Sequence, residues 1–138
     1  LAPSDYNPND CTPLYDAMGK ALTNLKITMP HEDGVTNNVL VTIITDGYEN
    51  SSTRYDSKKI KSLVEELKNM GWSFSYIGAN QDVLSVSRDL SIDNCLSFKA
   101  DSRGTKQVFR CATNSMIAFC SSISKGAKGS QKLNYDEK

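Results

Sequence analysis

Residues 39–50 read VLVTIITDGYEN. Seven apolar or β-branched residues, Val39 to Thr45, run without a charge and stop at Asp46-Gly47. An unbroken run of this kind predicts a strand of a parallel sheet, covered on both faces by helices. Open α/β sheets bind their ligands at the carboxyl ends of the strands, so Asp46 marks where a site belongs.

The segments on either side alternate in type. Residues 1–11 form a loop rich in Pro and Asx residues. Thr12-Pro13 then predicts a helix start, with Thr12 as N-cap and Pro13 at the first helical position. Leu14, Ala17, Met18, Ala21, Leu22 and Leu25 follow at helical spacing. Downstream, Asp56 is a second N-cap, and Ile60, Leu63, Val64, Leu67 and Met70 make an amphipathic helix that should stop at Gly71. Trp72 to Ile77 reads as a second strand, with its aromatic residues on one face. A short helix is expected near Asp82 to Leu90, and a third strand over Cys95 to Phe98. Asp101 or Ser102 opens a long helix whose apolar stripe is Val108, Phe109, Ala112, Met116, Phe119, Cys120 and Ile123. Residues 1–124 thus read as one unit, and residues 125–138 as a polar, mobile tail with little to bury.

Strands alternating with helices predict an α/β fold with a mostly parallel, Rossmann-like sheet in three layers. The most apolar strand should lie inside such a sheet, with neighbours on both edges. Three strands in sequence order leave it at an edge. The sheet is therefore expected to be incomplete at its N-terminal side, its neighbour supplied by a missing N-terminal half or by a second copy.

Composition narrows the partners. Sixteen basic and sixteen acidic residues cancel in a chain of 138, which gives no support for a nucleic-acid or membrane partner. No run approaches the ~20 apolar residues of a membrane span, and no signal peptide opens the chain. The first residue is Leu1 rather than Met, so an upstream segment is expected. The cysteines at 11, 95, 111 and 120 have no C-x-x-C spacing, and His31 is the only histidine. A zinc site is therefore not expected. Free thiols and a cytoplasmic location are.

Three segments carry a resemblance: YNPNDCTPLYDAMGKAL, then VLVTIITDGYENSS, then NMGWSFSYIGANQD. In this order they resemble the C-terminal half of bacterial, intracellular von Willebrand factor A domains, over roughly residues 6–123. The resemblance implies a doubly wound sheet around a metal-ion-dependent adhesion site. Thr12 matches the family's loop threonine and Asp46 its strand-end aspartate. The D-x-S-x-S motif that supplies the other protein ligands does not occur in this sequence. The resemblance thus implies a domain fragment holding two of five metal-site side chains. The implied cation is Mg²⁺, with Mn²⁺ or Ca²⁺ as alternatives, held weakly or not at all by this chain alone. The implied partner is another protein that places an acidic residue on the metal. Asp10, Gly47, Tyr48, Glu49 and Asn50 are the candidate partner-facing rim.

The chemistry suits those residue types. Mg²⁺ takes hard oxygen ligands in near-octahedral array and keeps several waters, so one hydroxyl and one carboxylate are suitable but insufficient donors. Simpler roles compete at each position. Thr12 is explained by helix capping, Asp46-Gly47 by a turn, and residues 48–50 by a solvated loop. The dipole of the first helix accounts for Asp16, and core packing for Trp72, Phe74 and Tyr76. The expected function is protein binding, not catalysis. The alternative is a metal-dependent phosphohydrolase with Asp46 at the strand end, drawing on Glu49 and Asp82.

Overall fold

The computed structural model describes residues 11–29, 37–79, 82–133 and 135. Four helices and three strands follow one another in order: α1 (Leu14–Thr28), β1 (Leu40–Thr45), α2 (Ser57–Asn69), β2 (Ser73–Ala79), α3 (Val83–Asp89), β3 (Asn94–Phe98) and α4 (Ser102–Ser124). The strands form one open parallel sheet in the order β1-β2-β3. The fold is α/β, as the alternation predicts.

Local chemistry sets the element ends. Asp56, Asp82 and Asp101 each cap a helix by accepting from the backbone N–H of Lys59, Ser85 and Gly104. α2 stops where the sequence says. Gly71 takes a positive φ of 92°, its N–H donates to the Lys68 carbonyl, and that of Trp72 donates to Leu67. This pair of bonds is a Schellman ending, which glycine enters without strain.

Register decides which residues share a face. Ile43 pairs with Tyr76 and Ile44 with Ile77. One face therefore carries Ile43, Phe74 and Tyr76, which pack with Met18 and Leu22 of α1 and with Ile60, Val64 and Leu67 of α2. Burying each such side chain contributes about 1.5–3 kcal/mol. The aromatic residues of β2 are core, the role expected of them. The opposite face carries Ser73, Ser75 and Ile77, all fully buried. α4 lies over its β3 side.

Three expectations need correction. Among the described residues β1 is covered on one face only, not on both as expected, and Ile44 is 51% exposed; it lies at the edge of the described sheet, where three strands in sequence order leave it. The wholly buried central strand is β2, despite its serines. The stripe of α4 is rotated: Val108, Cys111, Ser115 and Phe119 are buried, whereas Phe109 and Met116 are 55% and 52% exposed. The third correction concerns residues 125–138. Their described part lies against the sheet, where the Gln131 N–H donates to Ser73 Oγ (2.8 Å) and the Leu133 N–H to Asn94 Oδ1 (2.7 Å). The Tyr135 hydroxyl bonds Ser75 Oγ. These bonds satisfy the buried hydroxyls of Ser73 and Ser75 and the Asn94 carbonyl oxygen, which is why β2 tolerates its serines and β3 its first residue.

Candidate functional site

The first turn of α1 is not capped by its own sequence. Pro13 holds the cap position and no side-chain cap bond forms there. The expected role of Thr12 as N-cap is thereby corrected. The caps come from the loop after β1. Glu49 Oε2 accepts from the Tyr15 N–H (2.7 Å), and Ser52 Oγ accepts from the Asp16 N–H (2.9 Å). Asn50 Oδ1 accepts from the Thr12 N–H (2.7 Å), and the Asn50 N–H donates to the Thr12 carbonyl (3.3 Å).

Glu49 also accepts from the N–H groups of Ser51 (2.9 Å) and Ser52 (2.6 Å) and from the Ser52 hydroxyl (2.7 Å). Burial alone would raise its carboxyl pKa. The donors of Tyr15, Ser52 and Ser51 outweigh that and hold it below the usual glutamate value. Asp16 returns the arrangement from the helix side. Its carboxylate accepts from the N–H groups of Thr53 (3.0 Å), Arg54 (2.9 Å) and Tyr55 (2.8 Å). The Thr53 N–H leads in depressing its pKa. Asp16, the acidic residue of the first turn of α1, therefore also fastens a loop.

With the helix start capped from outside, the Thr12 side chain is left to face the loop at Asp46-Gly47. A methyl group added at Gly47 would sit 3.1 Å from Thr12 Oγ1, so the absence of a side chain there permits the approach. Thr12 and Asp46 both line a cleft of about 450 Å³ at the carboxyl end of β1, together with Leu14, Ala17 and Ile44. The Asp46 side chain makes no hydrogen bond among the described residues and is exposed. Thr12 and Asp46 thus lie at the same end of the sheet.

The rest of the expected rim divides. Gly47 stands beside Thr12; Glu49 caps α1, and the exposed Asn50 bonds the Thr12 backbone. Tyr48 is exposed, and its hydroxyl accepts from the Asp82 N–H (2.8 Å), linking the loop to the start of α3. Asp10 lies outside the described residues, as does His31. The sequence does not single out Ser52, although it bridges Glu49 to the first turn of α1. Its proximity to Glu49 in the loop was the available signal. Beyond Tyr48 a larger hollow of about 870 Å³ reaches Asp82, Phe98, Lys99 and Arg103.

Thr12 and Asp46 offer a hydroxyl and a carboxylate, hard oxygen donors of the kind Mg²⁺ takes. Their number is short. Among the described residues, no group of three or more His, Cys, Asp or Glu side chains converges on a point. All four cysteines are free. No described helix is long and apolar enough to cross a membrane. No family model, curated protein or solved structure matches this chain.

Proposed function

We propose that this chain is part of a protein-binding module of the von Willebrand A type, with Thr12 and Asp46 as its share of a metal-ion-dependent adhesion site. The observation that supports the reading is their convergence on one cleft at the carboxyl end of β1, 34 residues apart in sequence. A cation held there by few carboxylates stays electrophilic, so it completes its shell with a carboxylate from the protein it binds. The remaining protein ligands come from outside this chain's described residues. A phosphohydrolase is less well supported, because the carboxylates it would draw on are engaged: Glu49 caps α1 and Asp82 caps α3.

Isothermal titration with Mg²⁺ or Mn²⁺ tests the division of ligands. The 138-residue chain should give little heat. The same chain joined to an upstream strand ending in D-x-S-x-S should bind, and Asp46→Ala should abolish that binding. Tight binding by the 138-residue chain alone, or binding indifferent to Asp46→Ala, would refute the proposal.

A further inference from the structure

Among the described residues, one edge of β1 pairs with no strand, and that edge has a direction and a geometry. The Ser73 N–H donates to the Val39 carbonyl, so the backbone groups of Val39, Val41 and Ile43 face β2. Those of Leu40, Thr42 and Ile44 alternate with them and point off the sheet. Edge strands that must stay unpaired carry a lysine, a proline, a bulge or an inward charge. LVTIIT has none of these.

α1 indicates what should lie beside this edge. Its first turn meets the loop at the carboxyl end of β1, and Lys26, near its other end, pairs with Glu66 near the end of α2. α1 therefore runs beside α2, in the same direction and on the same face. α2 links β1 to β2 across that face, and α3 links β2 to β3. α1 delivers the chain into β1 in the same manner, so it has the position of a crossover helix whose first strand is not among the described elements. Crossovers between parallel strands are right-handed in ≈98% of cases. The hand of β1–α2–β2 then puts the strand feeding α1 on the side of β1 away from β2.

The opposite face has a matching gap. Leu40, Thr42 and Ile44 point to the face that α4, Gln131, Leu133 and Tyr135 cover over β2 and β3. Among the described residues none covers β1 on that face: Thr42 and Ile44 are exposed. α4 starts at the carboxyl end of the sheet and runs antiparallel to the strands. A right-handed helix in that direction, seated on Val108, Cys111, Ser115 and Phe119, turns Phe109 and Met116 toward β1. Ile44 and this flank of α4 make a floor and a wall, both apolar. The strands of a parallel sheet are covered by helices on both faces, and neighbouring helices pack with axes 8–10 Å apart.

We infer that the sheet continues past β1: a strand from the sequence ahead of α1 lies parallel to its free edge, and an amphipathic helix from the same upstream segment fills the recess between β1 and α4. This rests on backbone direction, hand and burial, and does not depend on a metal. The occupant is one strand-helix unit of the same polypeptide, its strand apolar and its helix apolar on one stripe.

Hydrogen exchange tests it on two chains, residues 1–138 and the same gene product with the residues encoded ahead of Leu1. The amides of Leu40, Thr42 and Ile44 should exchange at least 100-fold more slowly in the longer chain. Met116→Glu should leave the melting temperature of the 138-residue chain within about 1 °C and lower that of the longer chain by several degrees. Equal exchange in the two chains, equal effects of Met116→Glu, or a gene that encodes nothing ahead of this point would overturn the inference. A longer chain that protects β1 without binding Mg²⁺ would leave this inference standing and remove the metal reading.

Discussion

Glu49→Gln isolates the contact that holds the candidate site together. Glu49 receives four hydrogen bonds, from Tyr15, Ser51 and two groups of Ser52. Glutamine is nearly isosteric. Its carbonyl oxygen still accepts from the N–H groups of Ser51 and Ser52, but its amide nitrogen then faces the Tyr15 N–H and the Ser52 hydroxyl. The Tyr15 bond is lost, the Ser52 hydroxyl must turn, and the charge that strengthens all four bonds is gone. Bonds to charged groups contribute ≈1.5–3 kcal/mol each when buried. The site is half-exposed, so water replaces part of that, and the net loss is about 2 kcal/mol. For a chain of 138 residues this lowers the melting temperature by roughly 6–8 °C.

The same substitution should flatten the acid limb of stability. Glu49 and Asp16 have folded pKa values below their ordinary 4.5 and 3.8. Groups depressed in the folded state stabilise it above the unfolded pKa, and lose that contribution as pH falls through the folded one. Urea unfolding of the parent chain from pH 7 to pH 3 should therefore show stability falling below about pH 4.5, and Glu49→Gln should show a shallower fall. Glu66→Gln, which removes a surface ion pair to Lys26, is the control and should change stability by less than ~1 kcal/mol. A Glu49→Gln melt within 1 °C of the parent, with the same acid limb, would refute the capping account.

Gly19 lies under the Tyr55 ring, where an added Cβ would come within 2.5 Å of three ring carbons. Gly19→Ala should therefore destabilise the parent chain but stabilise a Tyr55→Ala background by up to ~1 kcal/mol of helix propensity, a reversal of sign that urea melts would detect. Asn94→Ala removes bonds to the Phe74 and Gln131 carbonyls and the Leu133 N–H. It should cost about 2 kcal/mol and speed proteolytic cleavage after residue 125. Gly47→Ala places a methyl group against Thr12 Oγ1 and should act non-additively with Thr12→Ala in a double-mutant cycle of stability.

The sequence made some elements legible because their signals are local. The charge-free run of β1, the capping aspartates and the Gly71 stop each act within a few residues. Other features depend on residues distant in the chain. β2 is legible as a strand with its aromatic residues on one face, but nothing local shows that Ser73 and Ser75 are buried; residues 131 and 135 cover them. The stripe of α4 was read from side-chain type, but the helix buries Ser115 and leaves Met116 in solvent, since the sheet beneath it ends at β1. Thr12 and Asp46 are paired in the sequence only by the resemblance, and both line one cleft. The role of Glu49 was missed. A carboxylate four residues past a strand end looks solvated, and only the helix start 34 residues away shows what it binds.

The capping of α1 by residues 49–52 also bears on folding order. A peptide spanning residues 11–29 carries no side chain that holds its own first turn, so that turn should fray until β1 and its loop arrive. Closing a loop of that length costs entropy before any bond rewards it. The Thr12 hydroxyl therefore takes its place only when distant parts of the chain have docked, and the cleft and the tertiary fold form in a single step.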